Sequence, residues 1–146
     1  MRALIQRVTR AEVKVDGGTV GKIGPGLLIL FAVHQEDTPE KTVWMVQKLT
    51  QLRIFADAQD KMNLSLKETQ GEALIVSQFT LYGNCLQGRR PDFFAAAPPE
   101  KARAIYEKFV GEMKQELGKI ETGIFGARME VSLVNDGPVT FLIDSL

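Results

Sequence analysis

Apolar and polar positions in the first third of the chain follow patterns that are typical of β-strands. Residues 11–15 alternate strictly, and residues 3–8 alternate more weakly. Residues 27–33 are apolar throughout, as expected of a strand that is buried on both faces. Glycine-rich turns flank a short strand at residues 20–23, so this region is predicted to be a meander of consecutive strands.

Two later segments have helical periodicity. Thr38-Pro39 suits the start of a helix, and Met45 and Leu49 would lie on its buried face. Pro98-Pro99 predicts the start of a longer helix that ends at Gly118. The apolar stripe of this second helix comprises Ala102, Ile105, Tyr106, Phe109, Val110, Met113 and Leu117.

The remaining pattern completes an α+β fold. Residues 73–78 are predicted to form a second central strand, and residues 57–63 a loop. Near the end, two alternating runs at 129–134 and 139–143 flank the sequence Asn-Asp-Gly-Pro at 135–138, which favours a tight hairpin turn. Strands outnumber helices and do not alternate regularly with them, so residues 1–146 are expected to form a single α+β domain.

Composition narrows the functional class. The chain has 146 residues, of which 45% are hydrophobic and 25% charged, as expected of one domain with a proper core. No apolar run approaches the roughly 20 residues of a membrane span, and the N-terminus lacks a signal-peptide core, so we expect a cytoplasmic protein without a membrane partner. One histidine and one cysteine (Cys85) argue against a metal centre or a disulfide, and no cofactor is expected.

Charge does not favour general nucleic-acid binding. Lysine plus arginine equals aspartate plus glutamate at 18 each, which argues against a DNA-binding protein. Two segments are locally basic: residues 1–15 carry 4 − 1 = +3 charges and residues 87–108 carry 5 − 3 = +2. These counts are equally compatible with a local basic face and with ordinary surface charge.

Candidate chemistry lies where the apolar strand at 73–76 gives way to polar residues. The exit of a central strand is a common location for sites, because backbone N–H groups and hydroxyls leave the ladder there. An ordinary strand terminus explains the same pattern. Thr80 would be a nucleophile only with a base to remove its proton, and none is adjacent in sequence. His34 is a candidate base or simply a polar strand end.

The segments 77–82 (SQFTLY) and 135–140 (NDGPVT) together resemble the D-aminoacyl-tRNA deacylase family of bacterial type. Two separated signatures in the right order make this resemblance specific, and it covers essentially the whole chain. Shorter similar segments are residues 7–11, 61–65, 88–91 and 121–127.

The resemblance implies a small β-barrel-like mixed sheet with two main helices, in a homodimer with active sites at the subunit interface. The implied activity is hydrolysis of the ester that joins a D-amino acid to the 3′-terminal adenosine of tRNA, and also of glycine mischarged on tRNA-Ala. The Gly137-Pro138 bond would be cis and would reach into the partner's pocket. Its carbonyls would hold the substrate ammonium, and its backbone would exclude an L side chain.

The resemblance also implies roles for individual residues. The catalytic strand exit consists of Ser77, Gln78, Phe79 and Thr80. Backbone N–H groups around Phe79 and Thr80 would polarise the ester carbonyl, with help from the substrate's 2′-OH, and covalent catalysis by Thr80 is the competing mechanism. Substrate-binding positions are Gly137, Pro138, Arg7, Met129 and Ala102. The candidate tRNA contacts are Arg89, Arg90, Lys101 and Arg103.

The chain departs from the family pattern at one position near the candidate tRNA contacts. Gln87 stands where many members carry a lysine, so this loop is less basic and its contact with tRNA is less well supported. Two other functions are also compatible with the sequence. One is a non-catalytic protein that binds RNA ends, and the other is a hydrolase of small esters that uses Thr80 and His34.

Overall fold

A computed structural model describes residues 1–145. The strands in this range are β1 (Arg2–Val15), β2 (Gly18–Ile23), β3 (Gly26–Ala32), β4 (Arg53–Ala56), β5 (Met62–Ser65), β6 (Glu72–Ser77), β7 (Ile120–Thr122) and β8 (Glu130–Asp144). The helices are α1 (Lys41–Gln51), α2 (Pro99–Leu117) and a single 3₁₀ turn at Phe79–Tyr82. None of the described helices has the length and apolar character that a membrane span requires.

Six of the strands form one mixed sheet in the order β2-β1-β3-β6-β7, with β8 along the other edge of β1. Strand β1 is antiparallel to its three neighbours, whereas β3, β6 and β7 are mutually parallel. The sheet curls until β2 approaches β7, and a Cβ on Gly21 would lie 2.7 Å from the carbonyl oxygen of Thr122. The predicted α+β fold with a barrel-like mixed sheet and two main helices is therefore confirmed.

The predicted meander is wrong in one connection. After the β1–β2 hairpin, β3 returns to pair with the first half of β1 rather than with β2. This is possible because β1 is a single strand of 14 residues, long enough to hold β3 on one half and β2 on the other. The two alternating runs at 3–8 and 11–15 are parts of this one strand.

The continuous apolar run of β3 is explained by two separate apolar layers. Leu27, Ile29 and Phe31 belong to the larger core beneath the helices, where the Phe31 ring stacks on Phe109 at 4.1 Å between centroids. Leu28 belongs to a smaller core inside the curled sheet, together with Leu74 of β6. As predicted, β3 is buried on both faces, and so is its neighbour β6.

The predicted helices are present, with one shifted boundary. Helix α2 begins at Pro99, and Gly118 follows it with a positive φ of 75°, as expected. Helix α1 begins at Lys41 rather than at Pro39. The carbonyl of Thr38 accepts the Lys41 N–H at 3.2 Å, so residues 38–41 form a tight turn before the helix starts.

The predicted loop at 57–63 is partly a hairpin. Strand β5 pairs with β4, and the Nε of Arg53 donates to the carbonyl of Asn63 at 2.6 Å. The Asp57 carboxylate accepts the N–H groups of Gln59 and Lys61 at 2.9 and 3.0 Å, which closes the intervening turn. The strand has only four residues and pairs with β4 in an irregular register, so its pattern is too short to distinguish it from a loop.

The predicted hairpin at 135–138 is also wrong. Residues on both sides of it belong to the single strand β8 and pair with β1 in the same antiparallel sense. Val8 pairs with Asn135 and Gln6 with Thr140, so only Arg7 faces residues 136–139. The chain therefore makes a wide bulge instead of reversing, and Pro138 lies in the bulge where no ladder hydrogen bond is needed.

Candidate active site

A cleft of about 770 Å³ opens at the carboxyl ends of β3 and β6, beside the start of α2. Parallel strands place their carboxyl ends at the same edge of a sheet, which is why polar residues after β6 meet residues after β3. Five of the predicted site residues line this one cleft: Ser77, Gln78, Phe79, Ala102 and Met129.

The exit of β6 carries unpaired backbone donors. The N–H of Gln78 makes the last bond to β3, donating to the carbonyl of Phe31 at 2.8 Å. Beyond it, and considering residues 1–145, the N–H groups of Phe79 and Thr80 donate to no backbone carbonyl. Arg2 holds the far end of the turn, because its Nη1 donates to the carbonyl of Leu81 at 2.8 Å. The turn thus presents two neighbouring N–H groups in a fixed position.

Thr80 lacks a proton acceptor. Its side chain is exposed beside the cleft and its hydroxyl oxygen accepts a hydrogen bond from Nε2 of Gln78, which cannot take a proton. His34 packs its ring against Tyr82 at 5.1 Å, and its Nδ1 accepts the N–H of Glu36 at 3.2 Å. Across the described chain no hydrogen bond joins Thr80 to His34, so the pair needed by a small-ester hydrolase is not assembled.

Aromatic side chains form much of the cleft wall. Phe125, in the segment between β7 and β8, lies beneath the guanidinium of Arg103 at 4.7 Å and beside the ring of Tyr106 at 5.6 Å. The Tyr106 hydroxyl donates to the carbonyl of Ile75 at 3.1 Å, and burial raises the pKa of Tyr106 to about 12. Tyr106 is therefore a neutral donor at physiological pH and fixes α2 against β6.

Sequence reasoning missed several of these aromatic residues. Tyr106 was assigned to the apolar stripe of α2, and nothing in the helical period indicates that one end of this stripe faces a cleft rather than the core. Phe93, Phe94 and Phe125 lie in segments without regular periodicity. The glycines at 123 and 126, on either side of Phe125, are the available signal, because glycines mark turns and irregular segments. Gly126 does adopt a positive φ of 78°.

Gly137 and Pro138 lie outside the cleft of their own chain. Both are exposed in the bulge of β8, and the peptide bond between them is cis. Arg7 lies at the base of the bulge, with its Nε 2.9 Å from the Asp136 carboxylate and its Nη1 donating to the carbonyl of Ile54 at 2.6 Å. The Nε–carboxylate contact is an ion pair without hydrogen-bond alignment. Arg7 therefore connects the bulge to β4.

The four basic candidates have different surroundings. Arg89 and Arg90 are exposed in a loop that is closed by paired hydrogen bonds between Asn84 and Asp92. Lys101 donates its ammonium to the carbonyl of Gln35 at 2.7 Å, at the cleft rim. Arg103 packs on Phe125, as described above. Throughout residues 1–145, no group of three or more His, Cys, Asp or Glu side chains is placed to hold a metal ion.

The sequence model of a family described as D-Tyr-tRNA(Tyr) deacylase matches residues 4–144. The chain belongs to this deacylase family. It is 53% identical over 146 residues to the D-aminoacyl-tRNA deacylase of Protochlamydia amoebophila, covering 100% of this chain and 97% of the relative. It is 57% identical over 145 residues to the D-aminoacyl-tRNA deacylase of Thermosipho africanus, covering 99% and 97%.

Two solved structures share the fold of this chain. The fold matches the c-Myc DNA Unwinding Element Binding Protein with a TM-score of 0.94 and 41% identity, covering 100% of this chain and 99% of the other. It also matches a probable eukaryotic D-amino acid tRNA deacylase with a TM-score of 0.86, covering 97% of both chains. The second similarity, at 20% identity, concerns the fold alone.

Proposed function

We propose that this protein hydrolyses the ester bond of D-aminoacyl-tRNA and releases the D-amino acid and free tRNA. The observation that carries the proposal is the end-to-end similarity, above 50% identity, to relatives named D-aminoacyl-tRNA deacylase. The cleft adds support, because five residues expected at such a site line it together. Glycine mischarged on tRNA-Ala is a further proposed substrate.

The proposed chemistry uses backbone groups and the substrate itself. Water attacks the ester carbonyl carbon, the C–O bond to the ribose 3′-oxygen breaks, and that oxygen leaves with a proton as the amino acid carboxylate is released. The N–H groups of Phe79 and Thr80 stabilise the oxyanion, since both lack a backbone acceptor. The neighbouring 2′-OH of the ribose orients the water and assists its deprotonation. Catalysis by positioning the ester and the water is consistent with a site in which Thr80 has no base beside it.

Selectivity is assigned to the bulge of a second copy of the chain. Gly137 and Pro138 are exposed and lie outside their own cleft, so we propose a homodimer in which each bulge enters the partner's cleft. Their carbonyls would accept the substrate ammonium, and an L side chain would collide with the bulge backbone. Glycine, which has no side chain, would pass this filter.

The surface around the bulge supports self-association. Val134, Phe141 and Leu142 are apolar and exposed on β8. The outer edge of β8 has no strand partner within residues 1–145, whereas its inner edge pairs with β1. An exposed edge strand with large apolar side chains is a surface that proteins normally cover.

The proposed tRNA partner would contact only a few basic side chains near the cleft. Arg89 and Arg90 are exposed and available, whereas Lys101 and Arg103 already have intramolecular partners. Zero net charge suits contacts that are concentrated on the 3′-terminal adenosine and the acceptor end. Aminoacyl-tRNA is used in translation, so this proposed substrate also agrees with the cytoplasmic location expected from the sequence.

Deacylation of D-Tyr-tRNA and L-Tyr-tRNA by the purified protein tests the proposal directly. We expect preferential release of D-tyrosine without added cofactor. Binding of tRNA without turnover would instead identify a protein that binds RNA ends. The name of the 41% identical structural relative makes DNA the appropriate competitor. We expect no inhibition by duplex or single-stranded DNA at concentrations where uncharged tRNA competes.

A further inference from the structure

The side chain of Asn135 spans the β8 bulge, although it is exposed to solvent. Its Nδ2 donates to the carbonyl of Arg7 at 2.9 Å and to the carbonyl of Val139 at 3.2 Å. Arg7 is the one β1 residue opposite the bulge, and Val139 is the last residue of the bulge. One carboxamide therefore joins both ends of the segment that carries Gly137 and Pro138.

The same carboxamide lies directly beneath Gly137. A Cβ added to Gly137 would come within 3.2 Å of the Asn135 Oδ1 and 3.9 Å of its Cγ. Contacts of 3.2 Å are tighter than ordinary van der Waals packing, so the absence of a side chain at 137 leaves room for the carboxamide. The two hydrogen bonds of Asn135 therefore constrain the bulge, although residues 135–138 are exposed.

The other polar contact of the bulge is the ion pair between Arg7 and Asp136, which is also open to solvent. Asp136, the partner of Arg7, has a side chain that is 48% exposed, so solvent screens this ion pair. The Asn135 hydrogen bonds satisfy two backbone carbonyls that lie outside the ladder. Asparagine suits this role because its NH₂ group supplies two donors on a short side chain, whereas aspartate of the same shape supplies none.

We propose that Asn135 is a positioning residue that fixes the backbone of Gly137 and Pro138 in the conformation needed for stereoselective hydrolysis. The inference rests on the proposed function, because it concerns how the selective bulge is held. Asn135 does not contact the substrate itself. Its effect reaches the reaction through the two carbonyls of the bulge that would receive the substrate ammonium.

The test is Asn135→Asp, which keeps the shape and removes both donors. We expect kcat/KM for D-Tyr-tRNA to fall by about tenfold to a hundredfold through misplacement of the bulge, and the D-to-L selectivity to fall with it. Gln6→Glu is the matched control, since it makes the same amide-to-acid change at the next cross-strand pair, where Gln6 Nε2 donates to Thr140 Oγ1 at 3.2 Å. This control should retain wild-type activity and selectivity.

A pH profile separates positioning from general destabilisation. The carboxyl introduced at 135 would lie between two carbonyl oxygens and beside the Asp136 carboxylate, all of which raise its pKa, and its protonated form regains one donor. The Arg7 guanidinium acts in the opposite direction, but it is already paired with Asp136 at 2.9 Å. The ratio of variant to wild-type activity should therefore rise as the pH falls. A ratio that stays constant with pH would overturn the inference.

Thermal unfolding and circular dichroism check that the variant folds. If Asn135→Asp does not fold, Asn135→Ser, which retains one donor, should give an intermediate loss of selectivity. If the wild type discriminates D from L but a folded Asn135 variant does so equally, within about twofold, the inference is wrong. If the wild type itself shows no D preference, the proposed function fails instead.

Discussion

The cleft and the β8 bulge are held by different kinds of interaction. The cleft lies at the ends of two parallel strands that are buried on both faces, and its two unpaired N–H groups belong to the backbone. The bulge lies outside the ladder and depends on the side chains of Arg7 and Asn135. On the proposed mechanism, the core positions the chemistry and a few polar contacts position the selectivity. The two properties should therefore be separable by mutation.

The largest expected effect comes from filling the cleft. Ala102 is nearly buried on α2 and faces the cleft, so Ala102→Phe should occupy the space of the substrate. We expect deacylation of D-Tyr-tRNA to fall by about a hundredfold or more, because the ester can no longer reach its reactive position. The control is Ala104→Phe, on the exposed side of the same helix. Activity of Ala102→Phe close to that of the control would show that the cleft is not the site.

The next effect comes from altering the bulge without touching the cleft. Gly137→Val would push its Cβ against Asn135 and add bulk to an exposed tip. We expect activity on D-Tyr-tRNA to fall by about tenfold through misplacement, with the unfolding temperature almost unchanged. Gly18→Val, on the exposed part of β2, supplies a control with ordinary Cβ contacts. Unchanged deacylation in Gly137→Val would remove the bulge from the site.

The cleft and the bulge also differ in how far the sequence predicts them. The strand exit at residues 77–79 could be predicted, because the apolar run of β6 gives way to polar residues there. That Ala102 lines the same cleft is indicated by the family resemblance and not by the helical period of α2. The bulge could not be predicted, since Asn-Asp-Gly-Pro has the local chemistry of a hairpin and the pattern alone predicts a reversal. What keeps the chain extended is a non-local pairing with β1 on both sides of Arg7, which no local pattern contains.

The family resemblance supplied what pattern reasoning lacked at the bulge. It marked Gly137 and Pro138 as functional residues, whereas their alternation and turn propensities indicated only a corner. It did not indicate the role of Asn135, whose contacts depend on the register of β8 against β1. Phe125 was missed for the same reason, because it reaches α2 only through the path of an irregular segment.

A smaller effect is expected from removing the Thr80 hydroxyl. Its oxygen accepts a hydrogen bond from Gln78 and has no base beside it, so Thr80→Ala should retain activity within about threefold of wild type. Single-turnover deacylation with a search for a covalent acyl-protein by mass spectrometry provides the measurement. A trapped acyl-enzyme in the wild type, absent from the variant, would replace the backbone mechanism with a covalent one.

The smallest expected effect comes from the ion pair between Arg2 and Asp144, and Arg2 also holds the turn at residues 79–82. The hydrogen bond from Arg2 holds the pKa of Asp144 below its ordinary value of 3.8, so the pair stabilises the fold above this pH and loses that contribution as the pH falls through the lowered pKa. At neutral pH, Asp144→Asn should lower the free energy of unfolding by about 0.5 kcal/mol, as expected of a half-exposed pair.

Urea unfolding at several pH values measures this effect. The difference between Asp144→Asn and wild type should disappear below the lowered pKa of Asp144. Glu130→Gln, an exposed carboxylate on the same strand without an ion pair in the described part of the chain, should show little difference at any pH. A difference for Asp144→Asn that persists in acid would contradict the assignment.

Mixed dimers test the central claim, that one chain's cleft works with the other chain's bulge. One subunit carries Ala102→Phe, and the second carries a deletion of residues 136–138. Neither homodimer then contains a complete site. Random pairing should restore about a quarter of wild-type activity, because half of the dimers are mixed and each has one intact site. Activity no greater than the sum of the two separate variants would place cleft and bulge in the same chain and contradict the account.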